Sequence, residues 1–279
     1  MIRKILAGSF LSLTLLATGF VLSNSRKLHN AKTDYMASQK TGNKNSIESI
    51  KYNPPLPKDA PEDMRKEVML GYNIMNKTQK YAAKYVGNKL TCSNCHFNGG
   101  ISEGGKNGGL SLVGVATEYP KYRSRAKTVV DLLFRTNSCF VRSMNGKPLP
   151  LYSKEMVALM TYFQWISKGL PIYQKIPWLG LKHIKSNHIP NALKGKHVFK
   201  TTCAACHGTD GQGTTAAPPL WGKNSFNDGA GMDKLANLAA FAHNNMPYHV
   251  SNLTEDQALD VAAFVTSQPR PHFTSKEKK

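Results

Sequence analysis

The sequence predicts an all-α protein built from two similar modules. Three observations lead to this prediction. The chain has 279 residues, which exceeds the usual size of a single domain. The pattern C-x-x-C-H occurs twice, as CSNCH at 92–96 and as CAACH at 203–207. Apolar residues recur at helical spacing on both sides of each copy, and a hydrophobic content of 41% is sufficient for packed cores.

The N-terminus has the pattern of an export signal. Arg3 and Lys4 precede an almost uncharged apolar run from Ile5 to Leu22. Residues 1–25 are therefore predicted to be a signal peptide that directs the chain to the periplasm. An uncleaved membrane anchor is the alternative, although the apolar run is short for a membrane span. Residues 26–57 are polar and lead into the proline-rich NPPLPKDAP, which indicates a flexible tether.

The positive charge is unevenly distributed along the chain. The formal net charge is +20, which could indicate nucleic acid as a partner, but export argues against it. Between Cys92 and Pro150 there are eight Lys or Arg residues against three acidic residues, whereas residues 191–279 contain nine against seven. The excess around the first C-x-x-C-H predicts an anion-binding pocket there.

The two C-x-x-C-H motifs predict covalent haem. Two thiols about one helical turn apart can add to the two vinyl groups of haem, and the adjacent imidazole can ligate the iron. Disulfides, a thioredoxin-like site or a zinc site are the other uses of such cysteines, but two copies in an exported chain favour haem. We therefore expect two haem c groups, one held by Cys92, Cys95 and His96 and the other by Cys203, Cys206 and His207.

The first module is predicted to span residues 58–168. A helix from about Pro61 to Tyr85 contains Gly71 and leads to the first motif. After the motif, Met156 and Met160 recur at helical spacing behind a Ser153 N-cap, which favours a role in the core. Residues 169–190, with Tyr173 and Trp178 as anchors, are predicted to form a packed connector.

The second module is predicted to span residues 191–279. Gly195 and Phe199 share one helical face ahead of the second motif, and Thr254 with Gln257 forms a capping box that opens a final helix. This order resembles class I cytochromes c, in which the first and last helices cross at a glycine beside the haem. The resemblance implies two cytochrome c-like domains, each packed around one haem.

Met246 is the candidate for the sixth ligand of the second iron. It precedes Pro247 and lies 39 residues after His207, shortly before the final helix. A thioether is a neutral, soft donor that suits electron transfer. Met232 is the competing candidate, although it follows the glycine-rich loop more closely.

Cys139 is the candidate for the sixth ligand of the first iron. This fifth cysteine lies 43 residues after His96, and Arg135 and Arg142 flank it with charges that would stabilise a thiolate. A thiolate favours ferric iron and a low potential, which a simple electron carrier rarely needs. The alternative is that Cys139 is a buried free thiol and Met144 is the ligand.

The stretch from Arg135 to Met156, RTNSCFVRSMNGKPLPLYSKEM, resembles the dihaem thiosulfate dehydrogenase family, and the resemblance extends from about Pro54 to Pro269. It implies that His96 and Cys139 ligate an active-site haem. It also implies a substrate pocket lined by Arg125, Arg135 and Ser143. For the second, electron-transfer haem it implies His207 and Met246 as ligands.

The resemblance implies an enzyme that interconverts thiosulfate and tetrathionate in the periplasm and exchanges electrons with a periplasmic cytochrome c or another redox partner. Asn245 stands where some family members have a lysine, so a switch between lysine and methionine ligation is not expected. Two alternatives stay open. A dihaem electron carrier would use methionine at both irons, and a SoxA-like cytochrome would act on thiosulfate bound to a partner protein.

Overall fold

The computed structural model describes residues 52–102 and 107–274. The predicted signal peptide and most of the predicted tether lie outside this part of the chain. Within it, no helix combines the length and apolar character needed to cross a membrane. The described residues belong to one compact unit that begins at Tyr52, six residues before the predicted start of the first module.

Helices dominate the described residues, so the predicted all-α class is confirmed. The first half contains α1 (Glu62–Asn76), α2 (Thr78–Tyr81), α3 (Val115–Glu118), α4 (Leu132–Arg142) and α5 (Lys154–Trp165). The second half contains α6 (Ala192–Val198), a π turn (Phe199–Cys203), α7 (Ala204–His207), α8 (Leu235–Asn245) and α9 (Glu255–Thr266). Short 3-10 turns occur at Pro57–Asp59, Ala83–Tyr85, Cys92–Asn94, Phe97–Gly100 and Gly231–Asp233.

One β-hairpin departs from the purely helical expectation. Strand β1 (Lys121–Arg123) pairs antiparallel with β2 (Thr128–Val130), and Lys121 stands opposite Val130. The sequence of this segment lacks the long alternation of polar and apolar residues that would predict strands. The hairpin leads directly into α4, whose first turn is capped by the Asp131 carboxylate, which accepts the Phe134 N–H.

The same helix crossing occurs once in each half. Helix α1 crosses α5 at Gly71, where an added Cβ would collide with the Ala158 carbonyl oxygen. Helix α6 crosses α9 at Gly195, where a Cβ would collide with the Asp260 carbonyl oxygen. Both positions therefore require glycine because two backbones touch there. The expected class I cytochrome c plan is present twice.

Caps and core residues follow the sequence patterns. The Ser153 hydroxyl accepts the Met156 N–H at 3.2 Å and starts α5. Met156 is fully buried, which confirms its predicted place in the core. The reciprocal capping box between Thr254 and Gln257 opens α9 as predicted.

The first helix is shorter than predicted. It ends at Asn76, and the chain turns before Thr78. The buried Thr78 hydroxyl explains the break, because it donates to the Ile74 carbonyl at 2.8 Å and accepts the Cys92 N–H at 3.1 Å. The turn therefore brings the first C-x-x-C-H against the end of α1.

The connector between the modules packs through one of its two expected anchors and through residues that were not expected. Trp178 donates its indole N–H to the Val113 carbonyl at 2.9 Å, as an anchor would. The prediction for Tyr173 is wrong, because its side chain is 70% exposed and its left-handed backbone turns the side chain outward. Ile176 is the buried residue instead. Tyr52 stacks on Trp178 and donates to the Lys168 carbonyl at 2.6 Å.

Replacing Gly195 with alanine tests the crossing of α6 and α9. A Cβ at this position would overpack the contact, so Gly195→Ala should lower the free energy of unfolding by about 1–3 kcal/mol in chemical denaturation. Gly231→Ala is the control, because the nearest atom to its new Cβ lies 3.8 Å away. Equal stability of the two variants would contradict the proposed crossing.

Candidate functional site

The first C-x-x-C-H is held by local polar contacts. The Cys92–Asn94 turn follows a capping box in which the Asn94 side chain accepts the Thr91 N–H at 2.7 Å. The Thr78 hydroxyl binds both the N–H and the sulfur of Cys92, at 3.1 Å and 3.4 Å. These contacts fix the orientation of the motif relative to α2.

The surroundings of His96 give its ring the orientation and the tautomer of a metal ligand. Its Nδ1 lies 2.7 Å from the Leu110 carbonyl oxygen. Burial lowers the pKa of His96 to about 4, so the ring is neutral at ordinary pH. A neutral imidazole that donates from Nδ1 carries its lone pair on Nε2, which is the arrangement of metal-bound histidines whose other nitrogen is held by a carbonyl.

The second motif repeats this arrangement on a different local structure. Cys203 ends the π turn and His207 ends α7. The His207 Nδ1 lies 2.8 Å from the Pro218 carbonyl oxygen, and burial lowers the pKa of the ring. Both histidines therefore fit the role of an iron ligand that the motifs predict.

The cysteines of the motifs also fit covalent attachment. Burial raises the pKa of the Cys92 and Cys95 thiols to about 12 and that of Cys203 to about 11. These surroundings suit uncharged sulfur, as in a thioether. All five cysteines of the chain are free of disulfide bonds, so each thiol of the two motifs is open to haem attachment.

Helix α4 carries the most distinctive contact of the first half. Arg135 and Cys139 are four residues apart and therefore share one helical face. The Arg135 Nη1 donates to the Cys139 Sγ at 2.7 Å. The Coulomb interaction with Cys139 is the main reason why the pKa of Arg135 is raised, and an interaction with Tyr119 adds to the effect.

This face of α4 borders the first C-x-x-C-H. The charge of Arg135 adds to the lowering of the pKa of His96, after burial. A Coulomb interaction with Cys139 adds to the raised pKa of Cys92 and Cys95, again after burial. The fold thus brings His96 together with Cys139 and Arg135, which lie far from it in the sequence.

The other two predicted pocket residues lie on different elements. Ser143 caps the end of α4, one turn after Cys139, and its carbonyl accepts the Asn88 side-chain N–H at 2.8 Å. Arg125 lies on the exposed turn of the hairpin, and its Nη1 donates to the Gly229 carbonyl in the second half at 2.6 Å. Four of the eight basic residues counted around the first motif lie on the hairpin, at 121, 123, 125 and 127.

The competing methionines lie apart from the predicted one. Met246 follows α8 and packs with Cys203 against the second core, which includes Val198 and Phe199. Met144, the alternative ligand of the first iron, is buried in a smaller cluster with Leu90, Phe226 and Ala230, and Cys92 and Met232 pack against this cluster. Met246 therefore shares a core with the second motif, whereas Met144 and Met232 belong to a cluster that also includes Cys92 of the first motif.

The sequence prediction missed Tyr119. This residue follows α3 and binds Arg135 across 16 positions of the chain. Burial raises the pKa of its phenol, so the side chain stays protonated. No motif marks Tyr119, because its role depends on the fold of the hairpin that separates it from α4.

Known proteins resemble this chain over most of its length. A thiosulfate dehydrogenase of Thiomonas intermedia (strain K12) is 41% identical over 229 residues, which cover 79% of this chain and 72% of that protein. A thiosulfate dehydrogenase of Stutzerimonas stutzeri (strain A1501) is 39% identical, covering 84% and 77%. The solved thiosulfate dehydrogenase (TsdBA) from Marichromatium purpuratum matches with a TM-score of 0.75 and 28% identity over 82% of this chain, and the match spans about half (51%) of that chain.

The two halves also match separate family models. The model described as SoxA/TsdA, cytochrome c domain matches residues 78–172, and the Cytochrome c model matches residues 192–269. Together with the two prepared histidines, these matches define a dihaem c-type cytochrome in which both haems are covalently bound. Within this class, the chain belongs to the thiosulfate dehydrogenase family.

The haem content gives a direct test of the two sites. Protein matured with a cytochrome c assembly system should exceed the mass of the bare chain by two haems. A variant with serine at positions 203 and 206 should retain one haem, because the thiols of the first motif lie in the other half. Haem that acid-acetone extracts from the wild-type protein would contradict covalent attachment.

Proposed function

We propose that this protein is a periplasmic thiosulfate dehydrogenase that joins two thiosulfate ions to form tetrathionate and two electrons, and that also catalyses the reverse reaction. The contact between Arg135 and Cys139 beside the first C-x-x-C-H carries this proposal. Family membership supplies the substrate class, since its relatives are named thiosulfate dehydrogenases.

His96 and Cys139 are proposed to hold the first haem, and His207 and Met246 the second. When bound, each haem iron exchanges one electron, so two irons match the two electrons of the reaction. The Arg135 guanidinium donates to the Cys139 sulfur, and a thiolate ligand at this position would accept that contact as a charge-assisted hydrogen bond. The placement of Met246 in the core that contains Cys203 supports its role as the second axial ligand.

Electrostatics is the main requirement of this reaction. Two thiosulfate dianions at about 4 Å repel each other by about 17 kcal/mol at an effective dielectric constant of about 20, so the pocket must supply positive charge. Arg135 supplies it beside the Cys139 sulfur, and Tyr119 holds the guanidinium in place. Ser143 and Arg125 are proposed to line the same pocket from the end of α4 and from the hairpin.

Two observations support this function over the alternatives. A dihaem carrier has no need for a cation held against a cysteine sulfur beside one motif, as Arg135 is here. The relatives that cover about four-fifths of the chain are thiosulfate dehydrogenases, which favours this enzyme over a SoxA-like protein. The second haem is proposed to exchange electrons with a periplasmic cytochrome c.

Replacement of Cys139 by alanine separates the chemistry from haem attachment. Cys139→Ala should retain two haems, because the thiols of the two motifs remain, and alanine keeps α4 helical. It should lose the thiolate signature in low-temperature electron paramagnetic resonance and lose activity in both directions. A small artificial donor should still reduce the second haem.

Ser138→Ala is the matched control for this variant. The Ser138 hydroxyl donates to the Phe134 carbonyl of its own helix, so its loss should leave spectrum and activity unchanged. Full activity of Cys139→Ala would contradict the proposed site. Wild-type protein that is inactive in both directions would favour the carrier instead.

Replacement of Arg135 by alanine tests the electrostatic role. Loss of a charge-assisted contact costs about 1.5–3 kcal/mol, so Arg135→Ala should lower kcat/KM roughly ten- to a hundredfold. Arg135→Lys keeps the charge and should fall between this variant and the wild type. Arg65→Ala removes the same charge from the exposed start of α1 and should have little effect. An equal loss in Arg65→Ala would mean that net charge is what matters.

A further inference from the structure

The two haem-binding halves meet at a buried amide. Asn245, the last residue of α8, is 2% exposed. Its Oδ1 accepts the Gly109 N–H from the first half at 2.8 Å, and its Nδ2 donates to the Phe241 carbonyl at 3.0 Å. Because both ends of the amide are engaged, the orientation of the side chain is set by partners from both halves.

The hydrogen bond between Gly109 and Asn245 links the loop that holds His96 to the residue next to Met246. Both His96 and Met246 are proposed iron ligands. On the first side, Gly109 precedes Leu110, whose carbonyl holds the Nδ1 of His96 at 2.7 Å. On the second side, Asn245 directly precedes Met246. A displacement of the loop around Gly109 therefore acts on His96 through one hydrogen bond and on Met246 through another.

An aromatic contact provides a second connection between the two halves. Phe97 follows His96 directly, and its ring packs edge-on against Phe241 at 5.9 Å and against Tyr248 at 4.9 Å between ring centroids. Tyr248 lies two residues after Met246. Residues on both sides of the proposed methionine ligand thus touch the residue next to the first histidine.

The loop at this junction has little freedom to move independently. Gly109 has a φ of 64°, in the left-handed region, and a Cβ there would collide with the Phe97 ring and the Cys95 carbonyl oxygen. The neighbouring Asn107 N–H donates to the Asn244 carbonyl at 2.7 Å. The junction is therefore tied to the first motif as well as to α8.

We propose that Asn245 and Phe97 are positioning residues that couple the two haem sites by joining the loop behind His96 to the segment that carries Met246. The proposal rests on the ligand assignments of the proposed function. It makes the geometry and the midpoint potential of each haem depend on a residue of the other half. A purely local role would confine the effect of each residue to its own half.

The test compares the two residues in the intact dihaem protein without substrate. Asn245→Ala, in the second half, should weaken the methionine-to-iron charge-transfer band and should also shift the g-values and the potential of the first haem. Phe97→Leu, in the first half, should weaken the same methionine band of the second haem. Met246→Gly supplies the reference spectrum for complete loss of the band.

Asn244→Ala is the matched control. The Asn244 side chain donates to the Ala240 carbonyl of its own helix, whereas only its backbone carbonyl contacts the first half. This variant should leave both haem spectra unchanged. The proposal is overturned if Asn245→Ala alters only the second haem and Phe97→Leu alters only the first.

Hydrogen exchange of the wild-type protein provides a measurement that does not depend on folding of a variant. The Gly109 amide should exchange slowly, because the buried Asn245 side chain accepts its hydrogen, and exchange as fast as that of a free amide would overturn the proposal. Since none of these measurements uses substrate, a wild type without thiosulfate activity would refute the proposed function and leave this test intact. A methionine band that persists in Met246→Gly would overturn the coupling proposal through its ligand assignment.

Discussion

The structure depends on two imidazoles, one half-buried and one buried, each held by a backbone carbonyl. His96 and His207 sit at the ends of equivalent motifs, and in both the Nδ1 is bound by a carbonyl that follows within 14 residues. Burial alone would leave a polar ring nitrogen without a partner, which is costly, so a loop has to return to each histidine. The glycine crossings at Gly71 and Gly195 place helices beside each motif.

The two halves differ in the charge they place near the iron site. The second half surrounds Cys203 and Met246 with apolar side chains, including Val198 and Phe199. The first half instead sets the Arg135 guanidinium against the Cys139 sulfur on α4. A neutral apolar setting suits electron exchange, whereas a cation beside a thiolate suits the handling of anions. This asymmetry supports the different chemical roles proposed for the two haem sites.

The interface between the halves is polar as well as apolar. Asn88 donates to the carbonyls of Ser143 and Ser225, and Asn227 donates to that of Val141. These asparagines satisfy backbone groups that would otherwise be buried without partners. Such bonds specify one arrangement of the halves, because each requires a particular carbonyl at a particular position. The amide of Asn245 belongs to the same pattern.

Local chemistry was sufficient to predict much of this protein. Haem attachment depends on residues within five consecutive positions, and the caps at Ser153 and Thr254 depend on contacts three residues away. The pairing of Arg135 with Cys139 follows from helical spacing, so the charged flank could be anticipated as well.

Only the tertiary structure decided which distant groups meet. Tyr119 reaches Arg135 across a hairpin that has no strong strand pattern, and Arg125 binds a carbonyl of the other half. Tyr173 lost its expected role because a left-handed backbone turned it to solvent, while Ile176 became buried. Helical periodicity and motif spacing are short-range properties of the chain. Contacts over long separations depend instead on how completed elements pack and on which backbone groups that packing leaves to be bonded.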